Sequence, residues 1–222
     1  MSLDTVIKPE IVNDEFHRLI QTIAATQPLN HILEIGSSSG EGSTDAWVKG
    51  IVANPQKPTL HCIECSKPRF QKLSAHYAGN PQVKCYWASS VALSQFPSPE
   101  QVAEFYTTQP SNLRQYPLQQ VLGWLKEDVE YVRTHKAPED GIAQALRASG
   151  QSTFDAVLID GSEFTGVPEF AAIYGATIIM LDDITTYKNW EVMRYLSGDS
   201  RYRLIYSRDD LRNGFALFCR QA

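Results

Sequence analysis

His31-Ile32-Leu33-Glu34-Ile35-Gly36-Ser37-Ser38-Ser39-Gly40-Glu41-Gly42-Ser43-Thr44 decides how the rest of the chain is read. A short apolar run ends in an acid, a glycine–serine loop follows, and a helix is expected from about Thr44. Such a turn presents backbone N–H groups and a helix N-terminus at the strand's carboxyl end, where a small ligand can approach. Glycines at 36, 40 and 42 permit the tight turns that this requires. Two nucleotide readings fail on spacing. A dinucleotide fingerprint carries glycine at its first, third and sixth positions, which here hold Gly36, Ser38 and Glu41. A P-loop would close on Gly-Lys-Ser/Thr, and Gly42 is followed directly by Ser43. Glu34 and Glu41 would repel a pyrophosphate. The pattern suits a ligand with a cationic centre and hydroxyl groups, although a loop that merely joins strand to helix would look much the same.

Glu34-Ile35-Gly36-x3-Gly40-x-Gly42 resembles the first motif of class I S-adenosylmethionine-dependent methyltransferases, E/D-x-G-x-G-x-G. Ser38 departs from it, standing where the middle glycine usually sits, and is tolerable there if its φ is negative. Leu60-His61-Cys62-Ile63-Glu64 reads as a second buried strand ending in an acid. A carboxylate at that strand end can accept hydrogen bonds from two ribose hydroxyls, and the resemblance assigns this role to Glu64. After a third strand, Val83–Trp87, the family often has an acid for the adenine amino group. This chain offers Ala88-Ser89-Ser90, so Ser89 is the candidate. The resemblance therefore implies S-adenosyl-L-methionine held by Glu34, Gly36, Ser38, Gly40, Glu64, Ser89 and Asp160.

Further along, Phe154-Asp155-Ala156-Val157-Leu158-Ile159-Asp160-Gly161 and Ala176-Thr177-Ile178-Ile179-Met180-Leu181 are near-continuous apolar runs, as central parallel strands covered on both faces should be. A lead-in helix is expected over residues 10–26 from the spacing of Ile11, Phe16, Leu19, Ile20 and Ile23. Further helices are expected over 67–78 and 187–196. Two last strands, Tyr202–Tyr206 and Gly214–Cys219, are separated by only seven residues. A parallel crossover needs a dozen or more, so the last strand must run back. A parallel α/β sheet closed by one reversed strand is the mark of the class I methyltransferase fold. The expected fold class is α/β: a Rossmann-like, seven-stranded, mostly parallel sheet with an antiparallel last strand, in a single methyltransferase-like domain spanning residues 1–222.

Residues 94–152 exceed what one crossover helix needs and are read as a helical insert between strands 3 and 4, either a cap on the active site or a homodimer interface. Its Tyr106, Tyr116, Trp124 and Tyr131 could line a substrate pocket or simply glue the insert to the core. Arg114, Lys126 and Arg133 could meet an anionic substrate or sit on solvated faces.

Glu34, Glu64, Asp160, Asp182 and Asp183 all fall at the carboxyl ends of predicted strands, where ligand sites of such sheets lie. Asp160 with Asp182-Asp183 could supply oxygen ligands to Mg²⁺. The set resembles the metal site of catechol-type O-methyltransferases and of cephalosporin hydroxylase-like proteins, with a somewhat short separation. A metal-free site, with Asp160 near a sulfonium, is the alternative. Asp160-Gly161-Ser162-Glu163-Phe164 and Leu181–Asn189 also look like type-24/FkbM-like methyltransferases, which implies a small-molecule or glycan-precursor hydroxyl as acceptor. Asp160, Glu163 and Lys188 are the candidate bases, Asp160 first by location. A metal-dependent hydrolase or hydroxylase-like enzyme, and a non-catalytic cofactor-binding dimerisation protein, are the competing readings.

Composition is that of an ordinary soluble protein. In 222 residues, 43% are apolar and 20% charged, enough for one substantial core. A net charge of −5 argues against a general nucleic-acid or membrane-surface binder. Without an apolar run of membrane-spanning length or a leader pattern, the expected location is cytoplasmic. Cys62 and Cys65 form an isolated C-x-x-C, read as reduced thiols at a strand end rather than as a zinc or redox site.

Overall fold

The computed structural model describes residues 3–221. Seven strands form one sheet: β1 (His31–Ile35), β2 (Thr59–Glu64), β3 (Val83–Trp87), β4 (Ala156–Ile159), β5 (Ile178–Asp182), β6 (Tyr202–Arg208) and β7 (Phe215–Arg220). Their order is β3-β2-β1-β4-β5-β7-β6. The first five are parallel to one another, and β7 is antiparallel to both β5 and β6. The reversed closing strand is thus present, inserted between β5 and β6.

Alternation of side chains along each strand explains the continuous apolar runs. Ile32, Ala156, Leu158, Ile178, Met180, Phe215 and Leu217 face one core. There they meet α1 (Glu15–Thr26), α2 (Ser43–Ala53) and α3 (Lys67–His76), through Phe16, Ile20, Trp47, Ile51 and Leu73. Leu33, Val157, Ile159, Ile179, Leu181, Ala216 and Phe218 face the other core.

Between β3 and β4 lie α4 (Pro99–Thr108), α5 (Leu118–His135) and α6 (Gly141–Ser149). The last of these puts Ile142 and Ala145 into the second core. It is therefore the ordinary crossover helix, and the true addition is α4 with α5. Those two, with Leu113 from the turn between them, build a third core of Val102, Phe105, Leu113, Val121 and Leu125, closed by Phe164 from beyond β4. The second face is completed by α7 (Gly166–Ile173) and α8 (Tyr187–Gly198).

Several expectations need correction. The lead-in helix begins at Glu15, capped by the Asp14 carboxylate, which accepts from the His17 N–H. Asn13 has φ +55°, so Ile11 is buried without being helical. Only Ala156–Ile159 of the fourth run is strand. Helix α7 escaped the sequence reading, because Pro168 and the buried Glu169 interrupt its apolar pattern. Among the described residues no helix is long and apolar enough to cross a membrane.

Candidate active site at the carboxyl edge of the sheet

Where β1, β2, β4 and β5 end, the chain encloses a cavity of about 260 Å³, room for a small molecule rather than a polymer. The glycine–serine loop forms one wall. Gly36 has φ +87°, and a Cβ there would lie 1.9 Å from the Asp160 carbonyl oxygen; no other residue lets the loop pass so close to β4. Ser38 has φ +49°, so the negative φ expected of it is not found. This serine occupies the left-handed region that favours glycine, and its strain is offset by a bond from its N–H to Glu64 Oε2 at 2.7 Å. Glu64 Oε1 accepts from the Ser66 N–H at 2.6 Å. Burial pushes the Glu64 carboxyl pKa up, against the pull of these amides and Arg69. Each oxygen keeps a lone pair beyond its amide bond. In the same wall the Ser38 hydroxyl is buried without a partner, a group that a ligand would satisfy.

Two predicted cofactor residues stand off this wall. Glu34 is fully buried beneath the loop, where Thr44 Oγ1 donates to its Oε2 at 2.5 Å. Burial raises its pKa, eased first by Thr44 and then by nearby hydroxyls. Gly40 abuts Tyr77 and Leu73, and its carbonyl accepts from the Tyr77 hydroxyl. Both residues shape the loop from behind. Ser89 does line the cavity, although its hydroxyl donates to the Val91 carbonyl, leaving only acceptor capacity. None of Tyr106, Tyr116, Trp124 or Tyr131 lines it. The Tyr106 hydroxyl donates to the Tyr116 carbonyl and Tyr116 packs edge-on against Trp124, so these three rings hold the insert to itself, while the Tyr131 hydroxyl accepts from the Lys67 N–H and ties it to the core. Arg114 and Lys126 are likewise spent locally, on the Tyr106 and Thr107 carbonyls and on Glu130. Cys62 and Cys65 are free thiols.

Asp160, Asp182, Asp183 and Lys188 converge in the cavity wall. Single carboxylate oxygens of the three acids lie within 4.8 Å of one another. Lys188 Nζ donates to Asp160 Oδ1 at 2.9 Å and Asp183 Oδ2 at 2.6 Å. Arg212, from the turn between β6 and β7, donates to Asp182 Oδ1 at 2.9 Å and also pairs with Asp14. Asn213 Nδ2 donates to Asp183 Oδ1. The acids hold Lys188 as an ammonium, well above its ordinary pKa, and Lys188 draws the Asp183 carboxyl below its usual range against burial. Burial, then Asp183, pushes Asp182 up to about 6. Tested against this arrangement, Mg²⁺ at Asp160, Asp182 and Asp183 does not fit: each acid is already paired with Lys188 or Arg212, and an ion would have to displace Lys188. Lys188, as a held ammonium, is no base. Glu163, raised by burial to about 7, stays outside the wall and accepts from the Lys188 N–H at 3.2 Å.

Two contributors went unread in the sequence. The segment from Leu3 to Ile11 closes one side of the cavity, strapped by Ser66 Oγ to the Leu3 carbonyl and by Arg69 Nε to the Thr5 carbonyl. It carries no periodicity to betray it. Asp128 of α5 also lines the cavity and accepts from Ser162 Oγ at 2.5 Å, its pKa raised by burial. Here a signal existed: Asp128 lies on the stripe Val121, Leu125, Val132, an acid on an otherwise apolar helix face.

No family model matches the chain, and no curated protein matches it. Solved structures do. A methyltransferase from Geobacter sulfurreducens is 12% identical, with 95% of this chain and 82% of that one covered at a TM-score of 0.57. The fold is that of these methyltransferases. The O-methyltransferase from Bacillus cereus in complex with SAH is 12% identical over 96% of this chain and 84% of its own, TM-score 0.57. TomG from Streptomyces achromogenes, an O-methyltransferase involved in tomaymycin synthesis and solved with SAM, is 16% identical over 96% and 82%, TM-score 0.56. At such identities the likeness extends to the Rossmann-like methyltransferase fold.

Proposed function

We propose that the chain is an S-adenosylmethionine-dependent methyltransferase acting on a hydroxyl of a small molecule or glycan precursor. One observation carries this reading: the Glu64 carboxylate, bonded to the Ser38 amide, stands in the cavity wall at the carboxyl edge beside an unpartnered serine hydroxyl. Acids and hydroxyls without a free cation on the loop suit a cationic, hydroxyl-bearing cofactor. The fold shared with O-methyltransferases solved with SAM or SAH supports it. Gly36, Ser38, Glu64 and Ser89 would hold the cofactor, and Asp128 of α5 gives the insert a capping role.

When bound, the cofactor supplies a methyl on a positively charged sulfur: an O–CH₃ bond forms, the S–CH₃ bond breaks with its electron pair left on sulfur, and the hydroxyl proton is released. The chain's contribution is chiefly alignment and water exclusion. Asp160, whose carboxyl lies inside the wall and is pushed up by burial against the pull of Lys188, is the residue best located to take the proton, with Lys188 orienting it.

Calorimetric titration with S-adenosylmethionine and S-adenosylhomocysteine tests the reading. Micromolar binding should weaken by roughly 10- to 100-fold in Glu64→Ala, the range for losing a charge-assisted bond pair. Absence of binding by the unaltered chain overturns it.

A further inference from the structure

We infer that the Lys188 ammonium, together with the Arg212 guanidinium, takes the place of a divalent cation among Asp160, Asp182 and Asp183, so that this site works without a metal. That the site positions an acceptor rests on the methyltransferase reading; the cation replacement itself does not.

The side chain's location is costly on two counts. Lys188 is only 6% exposed, and it sits in the first turn of α8, at the positive end of the helix dipole. A lysine survives there only if strong partners compensate, and the two carboxylates at 2.9 and 2.6 Å are such partners. Its backbone is clamped as well. The Lys188 N–H is held by Glu163, and a Cβ on Gly166 would lie 1.7 Å from the Lys188 carbonyl oxygen. The ammonium is therefore a fixed part of the wall.

Charge supports the replacement. Lys188 and Arg212 bring the two positive charges that one divalent ion would bring, each on a different pair of acids. They do so from different elements, α8 and the β6–β7 turn, which tie the ends of β4 and β5 to the closing hairpin. An ammonium has three N–H donors. Two are used on Asp160 and Asp183, and the third is left for an acceptor oxygen in the cavity that Lys188 lines.

Manganese is the probe, followed by the resonance of the free aqueous ion, with S-adenosylhomocysteine binding and circular dichroism measured on the same samples. The unaltered chain should leave Mn²⁺ free up to about 1 mM, weaker than ordinary protein sites for hard cations, and chelator should not change its S-adenosylhomocysteine affinity. Lys188→Met, which empties the place between the acids, should take up about one equivalent of Mn²⁺, and adding Asp182→Asn should abolish that uptake. Uptake of Mn²⁺ by the unaltered chain, lost in Asp160→Asn, overturns the inference; so does a folded Lys188→Met that takes up none. Should Lys188→Met not fold, the titration of the unaltered chain decides alone. Failure to bind S-adenosylhomocysteine would strike the methyltransferase reading and leave the manganese result intact.

Discussion

Glu34 and Glu64 are both strand-end acids, yet their surroundings give them different work. Glu34 lies under the loop with one oxygen bonded to Thr44 and the other without a partner, while Glu64 stands in the cavity wall. Burial raises the pKa of Glu34, so its ionisation opposes folding. A carboxyl raised in the folded state contributes its full stability below its unfolded pKa and loses it as pH rises through the folded value. Glu34→Gln should therefore raise the melting temperature relative to the unaltered chain, by a margin that grows from pH 5 to pH 8, and should leave S-adenosylhomocysteine affinity unchanged. A margin that shrinks with pH would refute this. Thr44→Val, which strips the buried carboxylate of its donor, should cost about 1–3 kcal/mol in a urea melt.

At the scale of elements, the same substitution should have opposite signs on two helices. At Gly50 in α2, α1 packs directly over the backbone: a Cβ would lie 2.4 Å from both Ala24 Cβ and the Gln21 carbonyl oxygen. Gly50→Ala should therefore destabilise by about 1–3 kcal/mol through overpacking. A Cβ added at Gly123, inside α5, would meet nothing within 4 Å, so Gly123→Ala should stabilise by about 0.5–1 kcal/mol through helix propensity alone. Paired urea melts check both, and equal signs would contradict this account of the packing. The elements also show why the insert was half legible. Its three helices follow from apolar spacing, but that spacing does not say which of them covers the sheet; α6 does, while α4 and α5 gather around Phe164.

For the whole molecule, the cavity is completed by residues far apart in the chain: the strap from Leu3 to Ile11, Glu64, Asp128, Asp160 and Lys188. The strap is held by Ser66 and Arg69 at the start of α3 and by an Asp4–His135 pair at 3.5 Å, with Val6 exposed. A surface strap of this kind belongs to the segments that open locally at low cost. Saturation with S-adenosylhomocysteine should slow amide hydrogen exchange over residues 3–11 by about tenfold or more, as ligand linkage to a local opening requires. Unchanged exchange there, with binding confirmed, would remove the strap from the site.

The sequence by itself determined the sheet and its reversed closing strand, because apolar runs buried on both faces and a seven-residue gap too short for a crossover are local facts. It also determined that acids crowd the carboxyl edge, since each ends a strand. Only the tertiary structure decided which acids face the cavity and which cation they hold. Glu34 and Glu64 have the same local signature, and Lys188, Arg212 and Asp14 lie on separate segments, outside any pattern in which they could be paired. Strand alternation and gap length are properties of neighbouring residues; a salt bridge between distant loops depends on how the elements pack.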